Sequence, residues 1–84
     1  MAAPRLGTRL FRNTQLLTLE ERAAMVRTLR VMEQDTTLPG PLDVESVLPP
    51  GMPVWRRRIG GTNWWLYFAL RDDGVDIVTV GRLV

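Results

Sequence analysis

Cysteine, histidine and lysine are all missing from this chain of 84 residues. Without cysteine, no disulfide holds the small fold together, and a reducing, cytoplasmic setting is the expectation. Without histidine or cysteine, zinc sites built on those ligands are excluded, as are Ser-His and Cys-His nucleophile pairs. Without lysine, there is no amine to serve as a base. No glycine-rich phosphate motif opens a helix. No apolar run approaches the roughly 18 residues of a membrane helix, and the N-terminus has no apolar signal core. The sequence therefore predicts no cofactor, no metal and no membrane span.

What is present describes an ordinary globular domain, 45% apolar and 24% charged. The length allows one domain with one modest core, which is marginal alone and predicts a partner or a homodimer. All eleven basic residues are arginine, against nine acids, for a net charge of +2. Codon bias in a GC-rich genome produces such a set; guanidinium groups also suit phosphate, because they stay charged and donate paired hydrogen bonds. Their distribution is uneven. Residues 53–71 hold four arginines and no acid.

Along the chain, residues 1–7 read as a flexible arm and residues 8–12 (TRLFR) as a short strand that must join a later sheet. Asn13 is placed to cap one helical turn ending at Leu17. Residues 18–34 carry the best helix. Thr18 and Glu21 form a capping box. At about 100° per residue, Leu19, Ala23, Met25, Val26, Leu29 and Met32 gather on one broad face, with Glu20, Ala24, Arg27 and Val31 opposite. Residues 35–51, with Pro39, Gly40, Pro41, Pro49, Pro50 and Gly51, read as irregular connector.

Residues 53–80 read as a three-strand meander, and the rest of the chain is organised around it. Gly60-Gly61 makes the first turn and Asp72-Asp73-Gly74 the second, on the argument that tight hairpins need positive φ. Alternation sets Trp64, Leu66, Phe68 and Leu70 on one face, opposite the helix, with Trp65, Tyr67, Ala69 and Arg71 on the other. It also separates Trp55, Arg57 and Ile59 from Val54, Arg56 and Arg58, and Val75, Ile77 and Thr79 from Asp76, Val78 and Val80. The fold class expected is α+β, one main helix packed on an antiparallel sheet. Trp65, Tyr67 and Arg71 are candidates for RNA binding, because aromatic faces stack bases and arginine holds the backbone. The same aromatic patch also suits a protein partner, and the alternative for Arg56 to Arg58 is a solvated edge strand, whose charges block edge-to-edge aggregation.

In this order of elements, the run WRRRIGG…NWWLYFALRDDGVDIVTVG resembles the RelE/ParE superfamily of bacterial toxins. The likeness covers roughly residues 8–82 and is matched before Pro53 in element order alone. It implies a toxin of a toxin–antitoxin system, bound by a cognate antitoxin. RelE-like members cut ribosome-bound messenger RNA without a metal, and ParE-like members inhibit DNA gyrase. The resemblance assigns catalytic roles to Arg56 and Arg58, which share one strand face, with Arg82 as a third. It implies a metal-independent mRNA endoribonuclease; the alternatives are a ParE-like inhibitor of a protein target and an inactive relative kept as an interaction module. Trp65 stands where the family carries another arginine, Arg82 is offset by one from the family position, and the chain stops at Val84. These departures predict slow cleavage at best.

Overall fold

The computed structural model describes residues 5–6, 12–34, 37–49 and 51–82. Its elements are β1 (Arg5–Leu6), α1 (Leu19–Gln34), β2 (Val44–Leu48), β3 (Met52–Arg58), β4 (Trp64–Arg71) and β5 (Gly74–Arg82). The protein is a small α+β domain with one main helix and four antiparallel strands, β2 to β5, in consecutive order. The short β1 joins the far edge parallel to β5, so the sheet order is β1-β5-β4-β3-β2. Among the described residues, no helix is long and apolar enough to cross a membrane.

Two segments differ from the sequence expectation. Arg5 and Leu6 fall in the expected arm, yet they pair with Asp76 and Ile77. Residues 44–48 fall in the expected connector, yet they pair fully with β3 and lengthen the meander from three strands to four. Pro49 and Gly51, which follow, lie in the hairpin turn. Gly51 adopts φ 139° and donates its amide to the Leu48 carbonyl at 2.7 Å, a conformation that side chains oppose. Of the expected strand at 8–12, residues 8–11 lie outside the described residues, and Arg12 begins a helical turn.

The helix starts where its capping box predicts. Thr18 N donates to Glu21 Oε1 at 2.8 Å, and Glu21 N donates to Thr18 Oγ1 at 3.1 Å. The buried face is rotated from the expected one. Ala24, Met25 and Met32 are buried with Leu29 packed beside them, whereas Leu19 and Val26 are exposed. Apolar residues lie all round this helix, so periodicity alone leaves two candidate faces. Glu21 selects between them: its Oε2 accepts Trp64 Nε1 at 2.9 Å and pins that side to the sheet. Thr28 lies half-buried with its hydroxyl satisfied by the Ala24 carbonyl at 3.0 Å.

Opposite the helix, Trp64, Leu66 and Phe68 of β4 join Ile59, Val75, Ile77 and Val80 in one core. Each such large side chain contributes about 1.5–3 kcal/mol on full burial. Leu70 continues the alternation but is exposed, although its cross-strand partner Val75 is in the core. In β5 the alternation breaks at Val78. Tyr67 pairs with Thr79 and Phe68 with Ile77, which leaves Val78 as the extra residue of a bulge. That extra residue turns both Ile77 and Val80 into the core and sends Thr79 to the other face. The first turn uses Gly61 at φ 77°, as expected of a glycine turn. The second does not: Arg71 pairs with Gly74 across Asp72 and Asp73, all at negative φ.

Candidate nucleic-acid interface

The sheet has a second face, away from the helix, and β3 and β4 deliver the candidate side chains to it. Arg56 pairs across with Tyr67, and Arg58 with Trp65. Residues directly opposite share a face, so these four stand together, as alternation predicts. Arg56 lies diagonally over Trp65, with its guanidinium carbon 4.9 Å from the ring centroid. That is cation–π distance. Its Nη1 is 3.4 Å from Ser46 Oγ on β2, a long contact, and its Nε is buried with no hydrogen-bond partner. Arg56 is therefore a cation held against an indole face, with its Nε closed off from solvent.

Arg58 is committed elsewhere. It donates from Nε to the Thr62 carbonyl at 3.0 Å and from Nη2 towards Asn63 Oδ1 at 3.4 Å. Both acceptors belong to its own hairpin turn, so Arg58 fastens the turn instead of pointing towards Arg56. Tyr67 is 7% exposed. A Cβ on Gly81 would sit 3.5 Å from its ring, so the phenol lies over bare backbone. That makes it a packed residue and not the open stacking surface expected of it. Trp65 remains half-buried.

Two further candidates lie apart from Arg56. Arg71 sits four residues beyond Tyr67 on β4, about 13 Å along the strand. Its Nη1 is 3.0 Å from Asp73 Oδ1, and its Nε lies 2.9 Å from Asp76 Oδ1 at an angle unlike that of a hydrogen bond. Arg82 pairs with Trp64 on the helix side of the sheet, and its guanidinium stacks over that ring at 4.6 Å. The structure does not bring Arg82 to Arg56 and Arg58.

The sequence offers no signal for several partners that position these groups. Asp43, in the expected connector, accepts from Arg57 through both oxygens, at 2.7 and 2.9 Å. Asp43 Oδ2 also accepts the Gly40 amide at 2.6 Å. Arg57 thereby lies on the helix side, 8% exposed, while its two neighbours face the other way. Asn13, expected as a cap, instead donates across the fold to Thr79 Oγ1 at 2.7 Å and to the Val80 carbonyl at 3.0 Å. Glu21 carries a shifted carboxyl. The Thr18 amide holds it below its ordinary range, assisted by Trp64 and Arg82 and opposed by desolvation.

Chemically, the Arg56 face offers a fixed cation that can attract a phosphate. Among the described residues its carboxylate is Asp76, already engaged by Arg71. Set against protein-family models, curated proteins and solved structures, the chain matches none of them.

Proposed function

We propose that this chain is a cytoplasmic, toxin-like protein of the RelE/ParE kind, neutralised by a cognate antitoxin. In this reading the face bearing Arg56 and Trp65 engages single-stranded RNA on the ribosome. The observation that carries it is the half-buried Arg56 guanidinium stacked over Trp65. A fixed guanidinium clamps a phosphate and stabilises charge that develops as a 2′-oxygen attacks. Arginine stays protonated, so it cannot take the proton of that oxygen near neutral pH. Any cleavage is therefore slow and independent of metal.

The test is purified protein incubated with ribosome-bound messenger, with and without EDTA, alongside growth on induction in cells. Slow cleavage, unaffected by EDTA and reduced about 10²-fold by Arg56→Ala, is the expected result. Cleavage unchanged in the Arg56→Ala, Arg58→Ala double variant would remove the arginine clamp from the mechanism. The ParE-like alternative, inhibition of a protein target such as DNA gyrase, draws on the dispersal of the arginines: Arg58 is tied to its turn and Arg82 lies on the opposite face. Growth arrest without cleavage would favour it. Absence of both would favour an inactive relative that serves as an interaction module.

A further inference from the structure

Arg58 and Arg82 stand at one end of the sheet, on the two strands that flank β4: Arg58 pairs with Trp65 and Arg82 with Trp64. Both are exposed, and both are held in place. Arg58 is fastened by the Thr62 carbonyl and Asn63 Oδ1, contacts that leave its Nη1 unused. Arg82 rests on the Trp64 ring and, among the described residues, makes no hydrogen bond or ion pair. Glu21 links the two. It lines an open cleft of about 290 Å³ with Arg58, Gly61, Thr62 and Asn63. After Thr18 and Trp64, the Arg82 charge also helps to hold its pKa down. The carboxylate is fixed as well, by the Thr18 amide on Oε1 and Trp64 Nε1 on Oε2. A carboxylate has about four acceptor positions, so about two remain. The turn beside it is open backbone, since a Cβ on Gly60 or Gly61 would meet nothing within 4 Å.

A fixed acceptor beside a fixed donor, with a second cation close by, suits a ligand that carries donors, an acceptor and a negative charge. A bare phosphate or an acidic peptide would meet the Glu21 carboxylate and be repelled. A nucleotide of a single strand has all three features, because its base edge is unpaired and its backbone is anionic. We propose that this cleft takes one guanine of a single-stranded RNA: its N1–H and N2–H donate to Glu21, its O6 accepts from Arg58, and Arg82 holds an adjoining phosphate. The choice of base follows from the donors. Guanine alone has two adjacent N–H groups beside an acceptor on its Watson–Crick edge. Adenine and cytosine offer one amino group next to a bare ring nitrogen, and uracil one N–H between two carbonyls. Each of those sets an acceptor lone pair against the carboxylate. The inference rests on the proposed RNA reading and names the base it selects. Arg58, on the wall of the cleft, is the cross-strand neighbour of Trp65, the ring beneath Arg56.

The test is fluorescence anisotropy of labelled RNA hexamers titrated with the full chain: a uridine hexamer and its variants with a single central G, A or C. The G hexamer should bind about 10-fold tighter than the other three. Inosine in place of that guanosine lacks the N2 amino group and should lose most of the preference. The 7-deazaguanosine hexamer, altered on the opposite edge of the base, should keep it. These comparisons use the wild-type protein, so no folding defect enters them. Glu21→Gln keeps a residue that serves in a capping box and should bind all four hexamers alike. Arg82→Ala should weaken all four equally and reduce the slope of log K against log salt by about 0.7. Equal affinity for the four hexamers would overturn the guanine site and leave the RNA reading standing. So would inosine binding as tightly as guanosine, or a Glu21→Gln variant that retains the preference. Binding of no hexamer would overturn both.

Discussion

Three consecutive arginines on β3 meet two different fates. Arg57 lies against the helix side, 8% exposed, gripped through two hydrogen bonds by an Asp43 side chain with no exposure at all. Arg56, one residue earlier, faces the other way, half-buried, and rests on Trp65. The residue type is the same, and the pleat of one strand decides which arginine is structural and which is available to a ligand. The difference lies in desolvation. A guanidinium taken out of water needs a partner to match it, whereas a half-buried one resting on a ring keeps part of its hydration.

The largest expected effect tests the buried side of that comparison. Asp43→Ala would take its bidentate carboxylate from the buried Arg57 guanidinium and should cost about 3–5 kcal/mol in chemical denaturation. That is a large share of what a small domain has. Arg57→Ala should also be costly, because it orphans the buried Asp43 carboxylate. Arg57→Met with Asp43→Leu should recover much of the loss. A near-wild-type midpoint for Asp43→Ala would show that the pair does not anchor the connector.

A comparison along β4 comes next. Phe68 is fully buried and Leu70 is 40% exposed, although they share a face. Phe68→Ala should cost about 3–5 kcal/mol, and Leu70→Ala well under that. Equal losses would mean that the core reaches further along the sheet than its burial indicates.

Smaller effects are expected at the helix start. Thr18→Ala removes one half of the capping box and should cost about 1 kcal/mol. Glu21 adds a pH signature. Its folded-state pKa is lowered, so its stabilisation is present above the unfolded value and lost as pH falls through the folded one. Thermal unfolding of Glu21→Gln and wild type should therefore differ at neutral pH and converge in acid. The smallest expected effect falls on the open face: Arg56→Ala should cost only about 0.5–1 kcal/mol of stability. A loss as large as that of Asp43→Ala would turn Arg56 into a structural residue and remove the basis for the proposed interface.

Local patterns in the sequence determined a good deal. The Thr18–Glu21 spacing placed the helix start, Gly61 placed one turn, and strict alternation put Arg56 and Arg58 across from Arg57 and Trp64, Leu66 and Phe68 in the core. These features depend on bonds or side-chain directions within a few residues, which a chain carries in its order. Tertiary structure decided the rest. It picked the buried face of a helix that is apolar all round, through the bond from Trp64 to Glu21. It made a strand of residues 44–48, whose β character depends on β3 lying beside them. It inserted the bulge at Val78, sank Tyr67 against Gly81, gave Arg57 to Asp43 and sent Arg82 to the far face. Each of these outcomes is set by a partner distant in sequence, and no local spacing records who that partner is.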